Sequence, residues 1–275
     1  MVSANHLDHT VINTRGDMDP AVEIFQALGF TLTPRGYHSH GSINHLMMFG
    51  SDFLELIGIP EGRPNQRPDL ASAPVGINGL VFKTDDADAV YAHLEAEGMA
   101  GVPVRAFTRP VILDDEEHIA SFRTTTVNPD VFKGGRVYFC EHGTPELVWR
   151  SEWQNQPNRV VSMPEFVVAS TDPAKEAADF ARLLNGSVEG NAVPYADGKI
   201  TVLSVADYQA RYGDLASDMN GRSSIFGAIV CACDDMGPIG EILATPPAGV
   251  AARQTENGFV VYVTDYDSVL EFVPA

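Results

Sequence analysis

The sequence predicts an α+β fold of four βαβββ modules paired into two half-open barrel, or cup, domains. Three observations predict it. One fragment recurs in altered form: 47–58 reads MMFGSDFLELIG and 138–149 reads YFCEHGTPELVW. Each is an apolar run, a Gly-containing turn and a restart with a carboxylate among apolar residues, Glu55 in one copy and Glu146 in the other. The pattern strand, helix, three strands can be read four times. Finally, 275 residues that are 44% hydrophobic and 20% charged can bury one large core or two medium ones.

The first unit opens with LDHTVINT, alternating enough for a strand. DPAVEIFQALGF follows as a helix: Asp19 caps it, Pro20 suits its first turn, Val22, Phe25 and Leu28 recur at helical spacing, and Gly29 stops it. Strands are expected near 30–37, 43–49 and 52–58, the last two as a hairpin. A Pro- and Asn-rich linker over 60–76 leads to INGLVFKT, the first strand of the second unit, and to the helix DDADAVYAHLEAEG, stopped by Gly98. A long excursion, 99–120, precedes strands near 121–127, 136–142 and 145–150, and the polar linker SEWQNQPNRV ends the first half. The third unit opens with PEFVVAST and the helix DPAKEAADFARLLNG. The fourth opens with FGAIVCAC and closes with VVYVT and SVLEFV, where Glu271 echoes Glu55 and Glu146. The units pair into two domains, 1–158 and 159–275. Paired sheets of this kind make a cup that encloses a ligand without full barrel closure.

The net charge of −19 and pI near 4.6 disfavour long nucleic acids and anionic membranes. A neutral or cationic small molecule is easier to accommodate than an anion, which needs a local basic residue or a metal. No apolar run approaches the roughly 20 residues of a membrane span, and MVSANHLDHTVI lacks the pattern of a signal peptide. The three cysteines, Cys140, Cys231 and Cys233, cannot build a disulfide framework, and the last two read as strand core. A cytoplasmic location is expected.

His9 lies inside the first strand and Glu55 on the fourth. Those strands neighbour each other in such a unit, so both side chains can face one cavity, with Glu146 entering from the second unit by pseudo-symmetry. A carboxylate on an apolar strand is costly unless something pairs with it. One imidazole and two carboxylates, His9, Glu55 and Glu146, suit a divalent metal (Zn, Mn, Fe, Ni or Co) with open positions. The competing reading pairs both glutamates with arginines or backbone donors. The symmetry is imperfect: Gly79 stands at the place matching His9, and Asn78 beside it points to the other face. His142 is a candidate for the missing imidazole, or for an acid, base or substrate contact. In a straight strand it would lie about 13 Å from Glu146, so one shared ion requires a bend at Gly143 and Pro145. Glu146 and His142 are the candidate catalytic residues. His38 and Asn44, from RGYHSHGSIN, are candidate substrate contacts, and Arg123 or Arg109 can take an anionic group. Phe53, Phe122, Trp149 and Trp153 are candidate wall residues, though core packing explains them as well. No phosphate-cradling loop, dinucleotide fingerprint, nucleophile elbow or basic aromatic stripe is present.

At these residues the chain resembles the glyoxalase-like domain proteins of the vicinal oxygen chelate (glyoxalase/bleomycin resistance/extradiol dioxygenase) superfamily. The resemblance is carried by LDHTVI with His9, GYHSHGSIN with His38 and Asn44, FLELIG with Glu55, and CEHGTPELVWRSEW with His142 and Glu146; it spans roughly residues 5–190. It implies βαβββ modules, a cup-shaped site and a divalent metal bound from first and fourth strands. Members chelate a substrate through adjacent oxygens, then isomerise, cleave, epimerise or oxidise it; some instead bind drugs without a metal. Two departures stand out. Gly79 replaces the usual second-module ligand, and Gln156 stands where a His often precedes Pro-Asn, here Pro157 and Asn158. No first-strand His precedes Glu271, so the second cup is expected without a metal. The expected function is a metal-dependent lyase or isomerase acting on a small oxygenated molecule. The alternatives are an Fe(II) extradiol-type dioxygenase and a metal-free small-molecule binding or resistance protein. The expected partner is a small-molecule substrate, with no nucleic acid and no membrane; modules that pair between chains also leave a homodimer open.

Overall fold

Two mixed sheets of eight and seven strands carry the chain; the computed structural model describes residues 5–16, 18–63, 66–113 and 115–275. The first half runs β1 (Leu7–Arg15), α1 (Met18–Ala27), β2 (Gly36–Tyr37), β3 (Ile43–Met48), β4 (Phe53–Gly58), a short α2 (Pro68–Ser72), β5 (Gly76–Lys83), α3 (Ala87–Ala96), β6 (Arg105–Leu113), β7 (Glu116–Thr126) and β8 (Arg136–His142). The second runs β9 (Val160–Ser170), α4 (Pro173–Leu183), β10 (Ala192–Tyr195), β11 (Gly198–Ser204), α5 (Val205–Tyr212), β12 (Ser224–Cys233), α6 (Gly237–Leu243), β13 (Val250–Gln254), β14 (Phe259–Val263) and β15 (Ser268–Pro274). None of the described helices is long and apolar enough to cross a membrane.

The first sheet has the order β2-β3-β4-β1-β5-β8-β7-β6. β1 is parallel to β4, β5 is parallel to β8, and β1 and β5 join the two modules antiparallel. Thr10 faces Leu80, with His9 opposite Val81 and Val11 opposite Gly79, so Gly79 holds the place of His9 about a local two-fold axis. The free edges approach each other: the Ser39 N–H donates to the Thr108 carbonyl at 3.0 Å, and the Thr108 N–H to the Ser39 hydroxyl at 3.2 Å. The sheet thereby curls into a nearly closed cup.

Alternation along the strands sorts side chains between three apolar regions. Leu7 and Ile12 of β1 face a core shared by both halves, where Phe30 meets Phe272 with ring centroids 6.2 Å apart and Phe132 stacks on Phe180 at 4.1 Å. Val11 faces the interior of the first cup with Phe53, Val81 and Phe122. Tyr208 and Tyr212 fill the interior of the second.

Three expected features differ. The excursion at 99–120 contains β6 and the start of β7, a long hairpin. Residues 145–150 form no strand; 3-10 turns cover Pro145–Leu147 and Ser151–Trp153, and the Val148 and Trp149 N–H groups fold back onto the Pro145 carbonyl at 2.9 Å. Pro145 has no N–H to offer a ladder. In the third unit only β10 and β11 follow the helix, and α5 comes next. Ser204 starts that helix, its hydroxyl accepting the Asp207 N–H at 3.1 Å as an N-cap. α5 plugs the second cup: the Arg211 guanidinium reaches Glu165 and Glu271, each at 2.7 Å, and the Tyr212 hydroxyl donates to Glu271 at 2.9 Å. The carboxylate that echoes Glu55 is thus neutralised by a neighbouring cation.

One buried carboxyl joins the halves. Asp52, on the turn before β4, accepts the Met163 N–H of β9 at 3.1 Å through Oδ2, while its Oδ1 has no partner among the described residues. Burial pushes this carboxyl up from 3.8 to about 7, with the Met163 amide opposing and the Asp197 charge adding. A carboxyl raised on folding stabilises the fold while protonated, and that stability is lost as pH rises from about 4 to about 7. Asp52→Asn should therefore raise the thermal midpoint at about pH 8 and change it little near pH 4, a difference of at most about 4 kcal/mol. Parallel stability–pH curves for the two proteins would refute this assignment.

Candidate active site

The first cup holds a cavity of about 780 Å³. His9 of β1, Glu55 of β4 and Tyr138 of β8 all line it. Register explains the convergence. Glu55 sits beside Val11 across the β1–β4 pair, and Tyr138 sits beside Val81 across the β5–β8 pair. Since Val11 and Val81 are related by the local two-fold, Tyr138 is the second-module counterpart of Glu55. His9 Nε2 lies 3.1 Å from the Tyr138 hydroxyl and 3.6 Å from Glu55 Oε2. The His9 ring stacks on Phe53 at 4.4 Å.

A β-bulge supplies the next layer. Leu7 pairs with Phe82 and His9 with Val81, so Asp8 is an extra residue on β1 and escapes strict alternation. Its fully buried carboxylate meets His9 Nδ1 at 3.0 Å and His142 Nε2 at 2.7 Å. Burial alone would raise this carboxyl, but His142 and then His9 outweigh it and hold it well below the usual carboxylate range. As an acceptor of both imidazole N–H groups, Asp8 leaves the His9 Nε2 lone pair and the His142 Nδ1 lone pair available. His142 Nδ1 is buried with no hydrogen-bond partner.

On the opposite wall, the Asn44 amide donates to Glu55 Oε1 at 2.7 Å and reaches His38 Nε2 at 3.4 Å. His38 Nδ1 meets the Ser42 hydroxyl at 2.9 Å. Burial, followed by the charges of Arg109 and Arg67, pushes His38 down to about 3, so its ring is neutral. Burial, reinforced by Glu55, raises the Tyr138 phenol, which keeps its proton and can donate it to His9 Nε2.

The structure thus brings His9, Glu55, His38, Asn44 and His142 to one cavity, along with Phe53 and Phe122. Glu146 is not there. It is exposed on the 3-10 turn after β8 and does not line the cavity. The two sequence fragments match in letters but not in register, because the hairpin equivalent to β3–β4 is β7–β8, and β8 ends before Glu146. Arg123 is also elsewhere: alternation along β7 turns Phe122 inward and Arg123 outward, onto Glu141 at 3.1 Å and Asp88 at 2.6 Å. Trp149 and Trp153 pack behind the wall against the cup's apolar residues. Gln156 is a structural clasp, accepting the Thr31 N–H at 2.8 Å and donating to the Met48 carbonyl at 2.8 Å. Sequence reasoning missed Asp8 and Tyr138. Asp8 gave one signal, a second ionisable residue beside His9, but the bulge that uses it is invisible in a single strand.

The donors fit a divalent metal. His9 Nε2, Glu55 Oε2 and the Tyr138 oxygen offer one imidazole, one carboxylate and one phenol, a borderline-to-hard set. Asp8 on His9 Nδ1 is the outer-shell carboxylate that fixes a metal-binding tautomer. Asp8, Cys140 and His142 form another group, their ligand atoms within 4.8 Å of one another. It is less suited, because both Asp8 oxygens already accept imidazole N–H groups and burial pushes the Cys140 thiol well up.

A sequence profile described as the Glyoxalase-like domain matches residues 7–184. Among solved structures, a hypothetical protein from Staphylococcus aureus is similar with TM-score 0.63 at 12% identity, over 97% of this chain and 99% of that one. A mutant 4-hydroxymandelate synthase from Streptomyces coelicolor is similar with TM-score 0.58 at 12% identity, over 100% of this chain and 93% of that one. A xylose isomerase-like TIM barrel/4-hydroxyphenylpyruvate dioxygenase fusion protein is similar with TM-score 0.55 at 14% identity, over 99% of this chain and 49% of that one. At these identities the likeness is one of fold. No curated protein matches the sequence.

Asp8→Asn keeps the side chain's size but removes the charge that holds the two imidazoles. Its affinity for a divalent metal should fall by about 10–100-fold, measured by competitive titration with a chromophoric chelator. An affinity equal to that of the unaltered protein would show that Asp8 does not support such a site.

Proposed function

This chain belongs to the Glyoxalase-like domain family of the vicinal oxygen chelate superfamily, and on that premise we propose that it is a metal-dependent lyase or isomerase acting on a small oxygenated molecule. The observation that carries this reading is the meeting of His9 Nε2, Glu55 Oε2 and the Tyr138 hydroxyl in one cavity, with Asp8 fixing the imidazole from behind. His9 and Glu55 would hold a divalent metal, which when bound would supply Lewis-acid polarisation of a substrate oxygen. The protein's own groups do the rest. Asn44 orients Glu55 through its amide. His142 lines the cavity with its Nε2 on Asp8, and an imidazolium at this position would be balanced by that carboxylate. Tyr138, kept as the phenol by its burial, can donate a hydrogen bond to a substrate oxygen. Phe107 and Phe122, stacked with centroids 5.0 Å apart, exclude water from one side.

The extradiol-type alternative needs two imidazoles and one carboxylate. Gly79 and Tyr138 stand where the second module would supply ligands, which leaves the metal seat with one imidazole. A Cβ at Gly79 would lie 2.7 Å from Val11 Cγ2, so the position is closed to any larger side chain without repacking. For this reason the lyase or isomerase reading ranks first.

Metal analysis tests it. Protein loaded in turn with Zn, Mn, Fe(II), Ni or Co should retain close to a single equivalent of at least one of them. His9→Ala and Glu55→Gln should lose that equivalent, and Glu146→Gln should keep it. Substoichiometric metal in the loaded protein, with His9→Ala no different, would sink the proposal.

A further inference from the structure

We propose that the ligand of this cavity is a small molecule that carries a carboxylate on a flat apolar body, and that Arg109 is the residue that recognises the carboxylate. The inference deepens the reading of the cavity as a substrate site by naming the substrate's charge. Arg109 is 4% exposed and lines the cavity from β6. Among the described residues it has no hydrogen-bond or ion-pair partner, and its Nε is buried and unsatisfied. Glu55 acts on it through space but is already committed to Asn44 and stands beside His9. An unpaired buried guanidinium is strongly unfavourable in a free protein. A bidentate carboxylate is the partner that its planar fork matches best.

Two independent observations point the same way. Gly36 leaves the room in which Arg109 and Asn44 meet the backbone: a Cβ there would overlap Asn44 Oδ1 and lie 2.7 Å from both Arg109 Cδ and its Nη1. The cavity also reverses the charge of the molecule around it. Four arginines, Arg67, Arg105, Arg109 and Arg136, line it against two carboxylates, Glu55 and Asp69, in a chain of net charge −19. Arg67 is occupied by Asp69 and Ser42, whereas Arg136 also keeps a buried, unsatisfied Nη2. Field lines from such a pocket draw in an anion that the outer surface repels. The apolar body follows from the rings of Phe107 and Phe122 on the same wall, two residues along β6 from Arg109.

The probes are phenylacetate and phenylacetamide, alike in shape and different in charge. Calorimetric titration of the full chain, stripped of metal, should give a preference for the acid of about tenfold or more, the equivalent of about 1.4 kcal/mol. Arg109→Gln should abolish the preference, Arg109→Lys should retain only part of it, and Arg123→Gln, outside the cavity, should leave it intact. Because the free protein buries the guanidinium unpaired, Arg109→Gln should also raise the thermal midpoint of the ligand-free chain, which a purely structural arginine would not do. Equal binding of acid and amide, no binding of either, a preference that survives Arg109→Gln, or a lower midpoint in that variant would each overturn the proposal. Working with metal-stripped protein separates the two readings: loss of the metal-site proposal leaves the acid preference untouched, and loss of the acid preference leaves metal stoichiometry untouched.

Discussion

The antiparallel pairing of β1 with β5 is the constraint on which the rest of the first half depends. It joins two modules that would otherwise each expose an edge, and it sets which residue of one faces which residue of the other. The bulge at Asp8 is part of that pairing. By spending one extra residue on β1, the chain turns a carboxylate toward two imidazoles from different modules, His9 and His142. A fully buried carboxylate is tolerable only with such partners. The ionic contact therefore ties β1 to β8, and it holds both rings with defined lone pairs. The placing of both rings follows from this irregularity in the ladder.

The central ladder of the second half, between β9 and β12, is also irregular, but it carries no aspartate that bridges two imidazoles. β12 and β15 repeat the parallel pairing of β1 and β4, and Glu271 stands on β15 much as Glu55 stands on β4. Here a helix occupies the cup. Tyr208 and Tyr212 fill the space that is open in the first half, and Arg211 joins Glu165 and Glu271, with Lys199 3.6 Å from Glu165, so that two cations meet two carboxylates. One carboxylate position thus meets two ends: a guanidinium partner from the same chain in one cup, and an open cavity in the other.

The contrast extends to charge. In the second cup two cations, Arg211 and Lys199, balance two carboxylates, Glu165 and Glu271, within the fold. In the first, arginines outnumber carboxylates along the wall, and among the described residues the guanidinium of Arg109 has no hydrogen-bond or ion-pair partner. An unpaired guanidinium is costly in a low-dielectric setting. Beside His38, Asn44 and a stacked aromatic pair, it is what a binding surface for an anion looks like before the anion arrives.

The α+β class, the paired modules and the neighbouring of His9 with Glu55 were legible in the sequence. Each rests on local rules: caps and helical spacing start and stop the helices, alternation marks strands, and first and fourth strands of such a unit pair. The rest depended on register and facing, which act between segments distant in sequence. Letter matching put Glu146 at the place of Glu55, and only the ladder between β5 and β8 shows Tyr138 there. Of two arginines on adjacent strands, the sequence could not say which points inward; the curl of the sheet chose Arg109. Asp8 gained a role only through the bulge that buries it, and α5 replaced an expected strand because Ser204 capped a helix that the second cup had room to bury. The residues set what each segment could form, while the pairing of β1 with β5 decided which side chains would share a low-dielectric space and so have any chemistry in common.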